Sequence, residues 1–356
     1  MKSRVYFANL NTKHGYNLLD KVSKLFRIAN FNNIIKENDY VAIKLHWGEY
    51  GNLSFVPPQF LRRIVEEVKN LKAKPFLTDT NTLYRGGRAN AIDNIYTAYK
   101  NGFSIEASGA PIIIADGLCG LDYVKVSLNG KHVKEAKIGS SIYHANSIIF
   151  VTHFKGHELF GFGGAIKNVG MGCASSSGKQ ILHSDVKPSV NREKCIGCRV
   201  CIKWCPAGAI TIDNMSNKAN IVSKVCIGCG ECVVLCSKSA ISINWEENEL
   251  KIQEKTAEYA LAVLSEKEDR VGFFNFLINI SPNCDCYSWN NIPIVSDIGI
   301  LASVDPVAID QASVDLVNNL VNRDIFKALN KEWRYMLIHS EKIGLGSREY
   351  ELINID

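Results

Sequence analysis

The sequence predicts an α/β fold, a discontinuous and largely parallel α/β domain interrupted by a small α+β insertion, and three observations predict it. Short apolar runs alternate with helical patterns from the start of the chain, two cysteine-rich repeats break that alternation near residue 188, and the alternation resumes after residue 245. The 356 residues allow more than one domain and a sizeable buried core. Hydrophobic residues make up 46% and charged residues 22%, which excludes a disordered or collagenous chain.

Taken in order, 4–8 reads as a strand and 18–29 as a helix, 40–45 and 58–68 repeat the pair, and 75–78 and 89–99 repeat it again. Pro57-Pro58 suits a helix start, where a missing N–H is harmless. A hairpin outside the main sheet is expected from 123–128, the turn Asn129-Gly130 and 131–136. A buried strand at 147–152 then delivers the chain into a glycine-dense loop from His153 to Gly172. Ligands of open α/β sheets gather beyond the carboxyl ends of strands, so this loop is placed to line such a crevice. Beyond the insertion follow a polar helix at 249–264, a strand at 272–277 and helices at 305–320 and 332–342, with Asp305-Pro306 as N-cap and first helical residue. The expected division is 1–187, 188–245 and 246–356, the outer two forming one α/β domain. Two independent domains in series is the alternative.

The formal net charge of +5 is spread along the chain and gives no basic groove, so no nucleic-acid partner is read from it. The N-terminus lacks the apolar run of a signal peptide, and no apolar stretch approaches the ~18 residues of a membrane span. A reducing cytoplasm, with no membrane partner, is the expected setting. Of 12 cysteines, eight fall between Cys195 and Cys236, a crowd too local for a disulfide framework.

Those eight form two runs, Cys195-x₂-Cys198-x₂-Cys201-x₃-Cys205-Pro206 and Cys226-x₂-Cys229-x₂-Cys232-x₃-Cys236-Ser237. Thiolates at this spacing wrap a cubane iron–sulfur core, whereas zinc modules separate two Cys-x₂-Cys pairs by a longer stretch. Gly197 and Gly228 let each loop bend close to the inorganic core. The segment resembles the bacterial dicluster ferredoxins, with Ser237 where that family often carries proline. The resemblance implies two [4Fe–4S] clusters with crossed fourth ligands: Cys195, Cys198, Cys201 and Cys236 for one, Cys226, Cys229, Cys232 and Cys205 for the other.

The glycine-dense loop carries His153, His157 and Lys167, and Ser175-Ser176-Ser177-Gly178 and His183 follow. Histidine and lysine beside close-approaching backbone suit proton transfer, metal ligation or covalent chemistry. The plain alternative is a glycine-rich turn with incidental histidines. A nucleotide P-loop is excluded, because Cys173 stands where its first glycine belongs and Gln180 where serine or threonine would hold magnesium. His46, just past a predicted strand, is read as an ordinary hydrogen-bonded histidine, and Cys284-Asp285-Cys286 as either a soft-metal or redox pair or inert buried thiols.

GHELFGFGGAIKNVGMG at 156–172, DTNTLYRGGR at 79–88, NISPNCDC at 279–286 and SVDPVAIDQASVDL at 303–316 together resemble the DUF362 family, whose members often carry a ferredoxin insert. A more distant likeness is to nickel-pincer lactate racemases. Their Gly-Phe-Ser-Gly-Gly-Arg-Lys segment has a cofactor-tethering lysine, a catalytic histidine ten residues before it and a nickel-ligating histidine sixteen after it. His157 and His183 stand at those offsets from Lys167, while Ala165-Ile166 replaces Gly-Arg. The resemblance implies catalytic roles for His157, Lys167 and His183 and ligand contacts for Asp79, Arg85, Gly163 and Gly164, with a further metal or organic cofactor as an open prospect. The expected function is an iron–sulfur protein, a redox enzyme serving a small ligand or cofactor in the crevice, with a redox protein or a small molecule as partner. The alternatives are a ferredoxin-type electron carrier or metallocofactor assembly factor, and a racemase-like enzyme whose clusters are structural.

Overall fold

The structure, a computed structural model, describes every residue but Met1, Arg85, 184–186, Pro206, 227–230, 243–248, Glu268 and 329–331. β1 (Ser3–Asn9) leads into α1 (Leu18–Ile28). Asn17 fixes that start reciprocally: its side chain accepts from the Leu19 and Asp20 amides, and the Asp20 carboxylate accepts from the Asn17 amide. A short α2 (Phe31–Ile34) precedes β2 (Tyr40–Lys44) and α3 (Pro58–Asn70), then β3 (Lys74–Asp79), α4 (Ala91–Lys100), α5 (Ile105–Ser108) and β4 (Ile112–Ile114). β5 (Tyr123–Ser127), β6 (Glu135–Gly139) and α6 (Ser140–His144) form an excursion before β7 (Ser147–His153). The hairpin β8 (Lys155–His157) and β9 (Gly161–Gly163) follows, then α7 (Ala165–Gly170) and α8 (Ser176–Leu182).

The cysteine-rich segment contributes β10 (Ser189–Val190), α9 (Val200–Lys203), β11 (Ile210–Asp213), β12 (Lys218–Ile221), α10 (Glu231–Leu235) and β13 (Ile241–Ser242). Then come α11 (Glu249–Ser265), β14 (Val271–Leu277), β15 (Gly299–Ser303), α12 (Pro306–Val321), α13 (Ile325–Ala328), α14 (Arg334–Lys342) and β16 (Tyr350–Asn354).

Eight strands build the main sheet in the order β16-β1-β15-β14-β7-β2-β3-β4. From β14 to β4 every neighbour is parallel, and β16 is parallel to β1, but β15 runs antiparallel to both β14 and β1. The fold is therefore α/β on a mixed, largely parallel sheet. Because β14 pairs with β7, the chain on either side of the cysteine segment contributes to one sheet. β7 and β14 are buried along their whole length, as strands covered on both faces must be. Period-two alternation divides them: Ile148, Phe150 and Phe273 face one core with α7, α11 and α12, and Ile149, Val151, Phe274 and Phe276 face the other with α1 and α3.

One expectation is corrected. The β5–β6 ladder runs from Tyr123↔Gly139 to Ser127↔Glu135, so Asn129-Gly130 is not a two-residue turn. The amides of Lys131, His132 and Val133 instead point at the Glu258 carboxylate on α11, which draws the loop out of hairpin register. α11 itself reads as a polar helix yet buries Gln253, Glu254, Lys255, Thr256 and Glu258. Its carboxylates are satisfied from inside, Glu254 by Lys131 and His132 and Glu258 by those amides and His339.

The cysteine segment packs around its own apolar cluster, including Ile210, Ala219, Ala240 and Ile241. Its internal repeat is also geometric. The offset that separates Cys195 from Cys226 carries the pair Val190↔Ile241 onto Ile221↔Ile210, and α9 onto α10.

Candidate functional site

In the cysteine segment, Cys195, Cys198, Cys201 and Cys236 line one surface hollow, together with Ile196, Gly197 and Ala240. Gly197 reaches its left-handed φ of 66° with its Cα against the Asn217 carbonyl, where a Cβ would come within 2.1 Å. Backbone amides address three of the sulfurs: Ala219 donates to Cys195 at 3.4 Å, Ala209 to Cys205 at 3.2 Å and Ala240 to Cys236 at 3.3 Å. The last two are repeat equivalents, and so are the left-handed residues beside them, Gly208 and Ser239. Burial, then the neighbouring sulfurs of Cys198, Cys195 and Cys236, push the Cys201 thiol up. None of the described cysteines is in a disulfide. Cys229 lies outside the described residues. Among the described residues no three His, Cys, Asp or Glu side chains converge as a single metal ion would require.

The second centre forms where the strand order reverses. β2 and β7 are neighbours, and the chain proceeds from β2 outward to β3 and β4 but from β7 to β14 in the other direction. Their carboxyl ends and that of β14 deliver His46, the β8–β9 hairpin and the 281–286 loop to one place. Alternation along β8 puts Lys155 and His157 on the same face, and Gly163 opposite Lys155 leaves room for both lysines: a Cβ there would lie 3.3 Å from Lys155 Cε and 3.8 Å from Lys167 Cδ. The hairpin seats on the 281–286 loop through Gly156, whose amide donates to the Ser281 carbonyl at 2.8 Å.

His157 is driven well below its usual range by burial first, then by Lys167 and Lys155, with His183 adding to the same effect. Its Nδ1 accepts from the Leu159 amide at 3.1 Å, which leaves the hydrogen of the neutral ring on Nε2. Burial works against the Lys167 charge, but Cys284, Cys286, Glu158 and Asp285 outweigh it and hold its pKa up. Its ammonium also lies 5.7 Å over the Phe160 ring. His183 ends α8, half-buried. The structure thus brings His157, Lys167 and His183 into one neighbourhood.

Asp79 and the glycines serve differently. Asp79, at the end of β3, is buried between Lys44 at 2.9 Å and Arg88 at 3.2 Å. Gly164 touches no crevice group: a Cβ there would lie 2.3 Å from Asp310 Oδ1, and the Asp310 carboxylate accepts the first amides of α7, from Ala165 at 2.6 Å and Ile166 at 2.9 Å. Arg85 lies outside the described residues, and the arginine buried with Asp79 is Arg88, which also meets Glu49 at 3.2 Å and Tyr84.

His46 and the Cys-Asp-Cys run lie at the same crevice. His46 Nδ1 accepts from the Gly48 amide at 3.0 Å, and burial, then Arg88, lower its pKa, so the neutral ring carries its hydrogen on Nε2, 3.7 Å from Cys286 Sγ. Asp285 turns the opposite way, to His153 Nδ1 at 2.9 Å, Lys155 Nζ at 3.2 Å and Ser54 Oγ at 3.2 Å. Burial opposes its charge, but His153 and Lys155 hold its carboxyl well below the usual range. Lys155 was passed over because the glycine-dense stretch reads as a loop while it forms a strand beside His157, and nothing local marks Asp285 as the anchor.

No curated protein matches the chain. Among solved structures it is similar to the lactate racemase apoprotein of Thermoanaerobacterium thermosaccharolyticum, at 11% identity and TM-score 0.39, over 77% of this chain and 50% of that one. It is also similar to a Thermotoga maritima protein at 8% identity and TM-score 0.39, over 88% and 61%. The chain therefore spans about half to three-fifths of those proteins' lengths. Among the described residues no helix is long and apolar enough to cross a membrane. A family model described as a domain of unknown function matches residues 41–315, most of the chain and both halves of the main sheet with the cysteine segment between them, and the protein belongs to that family, DUF362.

Proposed function

We propose that the protein is a cytoplasmic iron–sulfur redox protein in which a ferredoxin-type module at 188–245 exchanges electrons with a small ligand or cofactor bound at the His157/Lys167 crevice. The observation that carries the reading is the hollow lined by Cys195, Cys198, Cys201 and Cys236, three cysteines of one run and the last of the other. A crossed set of this kind is what a two-cluster arrangement needs. The donor set supports this: four cysteines line one hollow, and amide N–H groups from Ala219 and Ala240 point at two of their sulfurs. When bound, the clusters supply one-electron transfer at low potential. Such amide contacts set that potential by stabilising negative charge on sulfur. Cys226, Cys229, Cys232 and Cys205 would hold the second cluster.

In the crevice the residues divide the work. Lys167 keeps its positive charge and draws an anionic group. His157, neutral at pH 7, offers its Nε2–H as a hydrogen-bond donor. Asp285 holds Lys155 and His153 in place from beneath. The partner is a small-molecule substrate, or a redox protein docking near the clusters.

The test is anaerobic purification followed by iron and sulfide analysis, with about eight of each per chain expected. Zinc in their place sinks the reading. Dithionite should then bleach the cluster absorbance and change the state of a crevice-bound ligand, and Lys167→Ala should abolish that second change while leaving the bleaching. Bleaching with no ligand retained in either protein would identify a carrier instead of an enzyme.

A further inference from the structure

Cys284 and Cys286 are the nucleophilic groups of the crevice to which the reading above gives no task. Asp285 between them is tied down by His153, Lys155 and Ser54, and both cysteines act on Lys167. The Cys286 amide also donates to Cys284 Sγ at 3.4 Å, which curls the run tightly. The two sulfurs are not alike. Cys284 is only 2% exposed and lies beneath Glu158, whose carboxylate accepts its amide at 3.4 Å. Cys286 is half-buried and reaches the crevice, where the His46 Nε2–H points at its sulfur at 3.7 Å. Lys167 faces both sulfurs.

We propose that Cys284 and Cys286 form a thiol–disulfide exchange centre whose substrates are low-molecular-weight disulfides and thiols. The assignment names the ligand class of the crevice and rests on that reading of the crevice, not on the clusters. Cys286 is the attacking thiolate. The Cys284 S–H first, then the His46 N–H, Lys167 and the His46 ring hold its pKa well below that of an ordinary thiol against the opposing effect of burial, while Cys284 is pushed well above. Cys286 S⁻ attacks R–S–S–R′, its new S–S bond forms as the substrate bond breaks, and R′–S⁻ departs. Cys284 then loses its proton and attacks the mixed disulfide, releasing R–S⁻ and leaving a Cys284–Cys286 disulfide. Two equivalents of a small thiol reverse the sequence and restore the dithiol, so atoms and electrons balance. Asp285 is the positioning residue, tying down the run that carries both sulfurs.

The experiment uses the anaerobically purified full chain with bis(2-hydroxyethyl) disulfide as oxidant, acid quenching, and mass spectrometry of the peptide holding residues 284–286. In the wild type the peptide should become two hydrogens lighter and return on adding mercaptoethanol. Cys284→Ser should trap a mercaptoethanol adduct on Cys286, and Cys286→Ser should trap none on this peptide. Before oxidation, iodoacetamide at pH 7 should label Cys286 at least about 10-fold faster than Cys284. A peptide that never forms the internal bond, an adduct on Cys284 in the Cys286→Ser protein, or equal labelling rates would overturn the proposal. Iron content distinguishes the failures: about eight irons with an inert 284–286 peptide refutes the exchange centre alone, and a working peptide without iron refutes the clusters alone.

Discussion

Arg88 shows how much of the site's support is carried by a residue that never reaches the ligand. It is fully buried, and its guanidinium meets Asp79, Glu49 and Tyr84 at once. Removing it takes the cation from Glu49 and leaves Asp79 with Lys44 alone in a dry interior, so Arg88→Ala should lower stability by about 3–5 kcal/mol in urea unfolding, and a loss below about 1 kcal/mol would contradict this arrangement. Asp310 carries a different liability. Burial, against the opposing amides of α7 and Asn275, raises its pKa to about 6. A carboxyl raised in the native state binds more protons there than in the unfolded chain. Its stabilisation is complete below about pH 4 and is lost as pH rises through about 6, on the order of 2–3 kcal/mol. As pH rises from about 4 to about 7 the wild type should therefore lose melting temperature relative to Asp310→Asn, while parallel curves would exclude the assignment. The sequence pointed to Arg85 and Gly164 because they stand in suggestive motifs. Burial and contact, which motifs do not encode, single out Arg88 and Asp310 as groups that hold the surrounding backbone and carboxylates in place.

At the level of elements, the β8–β9 hairpin is the piece whose position decides the crevice. It carries Lys155 and His157 on one face, and Gly156 lets its other side rest on the 281–286 loop. A Cβ at Gly156 would meet the Pro282 carbonyl at 2.2 Å, a backbone atom that cannot swing away. Gly156→Ala should cost about 1–3 kcal/mol and speed amide exchange across residues 154–157 more than elsewhere in the sheet, as hydrogen–deuterium exchange would register. Strands and helices with strong period were legible, with β2, β7, β14, α1 and α12 falling within a residue or two of their expected ends. Where reading failed, a distant partner intervened. Asn129-Gly130 has the composition of a tight turn, but three consecutive amides bound to Glu258 outweigh a local preference. The polar sequence of α11 is buried because partners more than a hundred residues away meet its carboxylates.

For the whole molecule, the cysteine segment and the α/β sheet have separate apolar cores. Damage to one should therefore leave the other folded. Cys236→Ala removes a sulfur from the hollow lined by Cys195, Cys198 and Cys201, so iron should fall by about half while the far-UV circular dichroism of the sheet persists. Iron unchanged from wild type would show that Cys236 is no ligand. What the sequence determined alone is what short range encodes: the alternation of strand and helix, and the two cysteine runs with their common spacing, since dihedral preference, period and ligand spacing are properties of neighbouring residues. Tertiary structure decided the rest. It set β15 antiparallel between β14 and β1, paired β14 with β7, and gathered His46, Lys155, His157, Lys167 and Cys286 from separate strand ends. Those contacts form between residues far apart in the chain, and burial, which fixes both their charges and their partners, exists only once the sheet has closed over them.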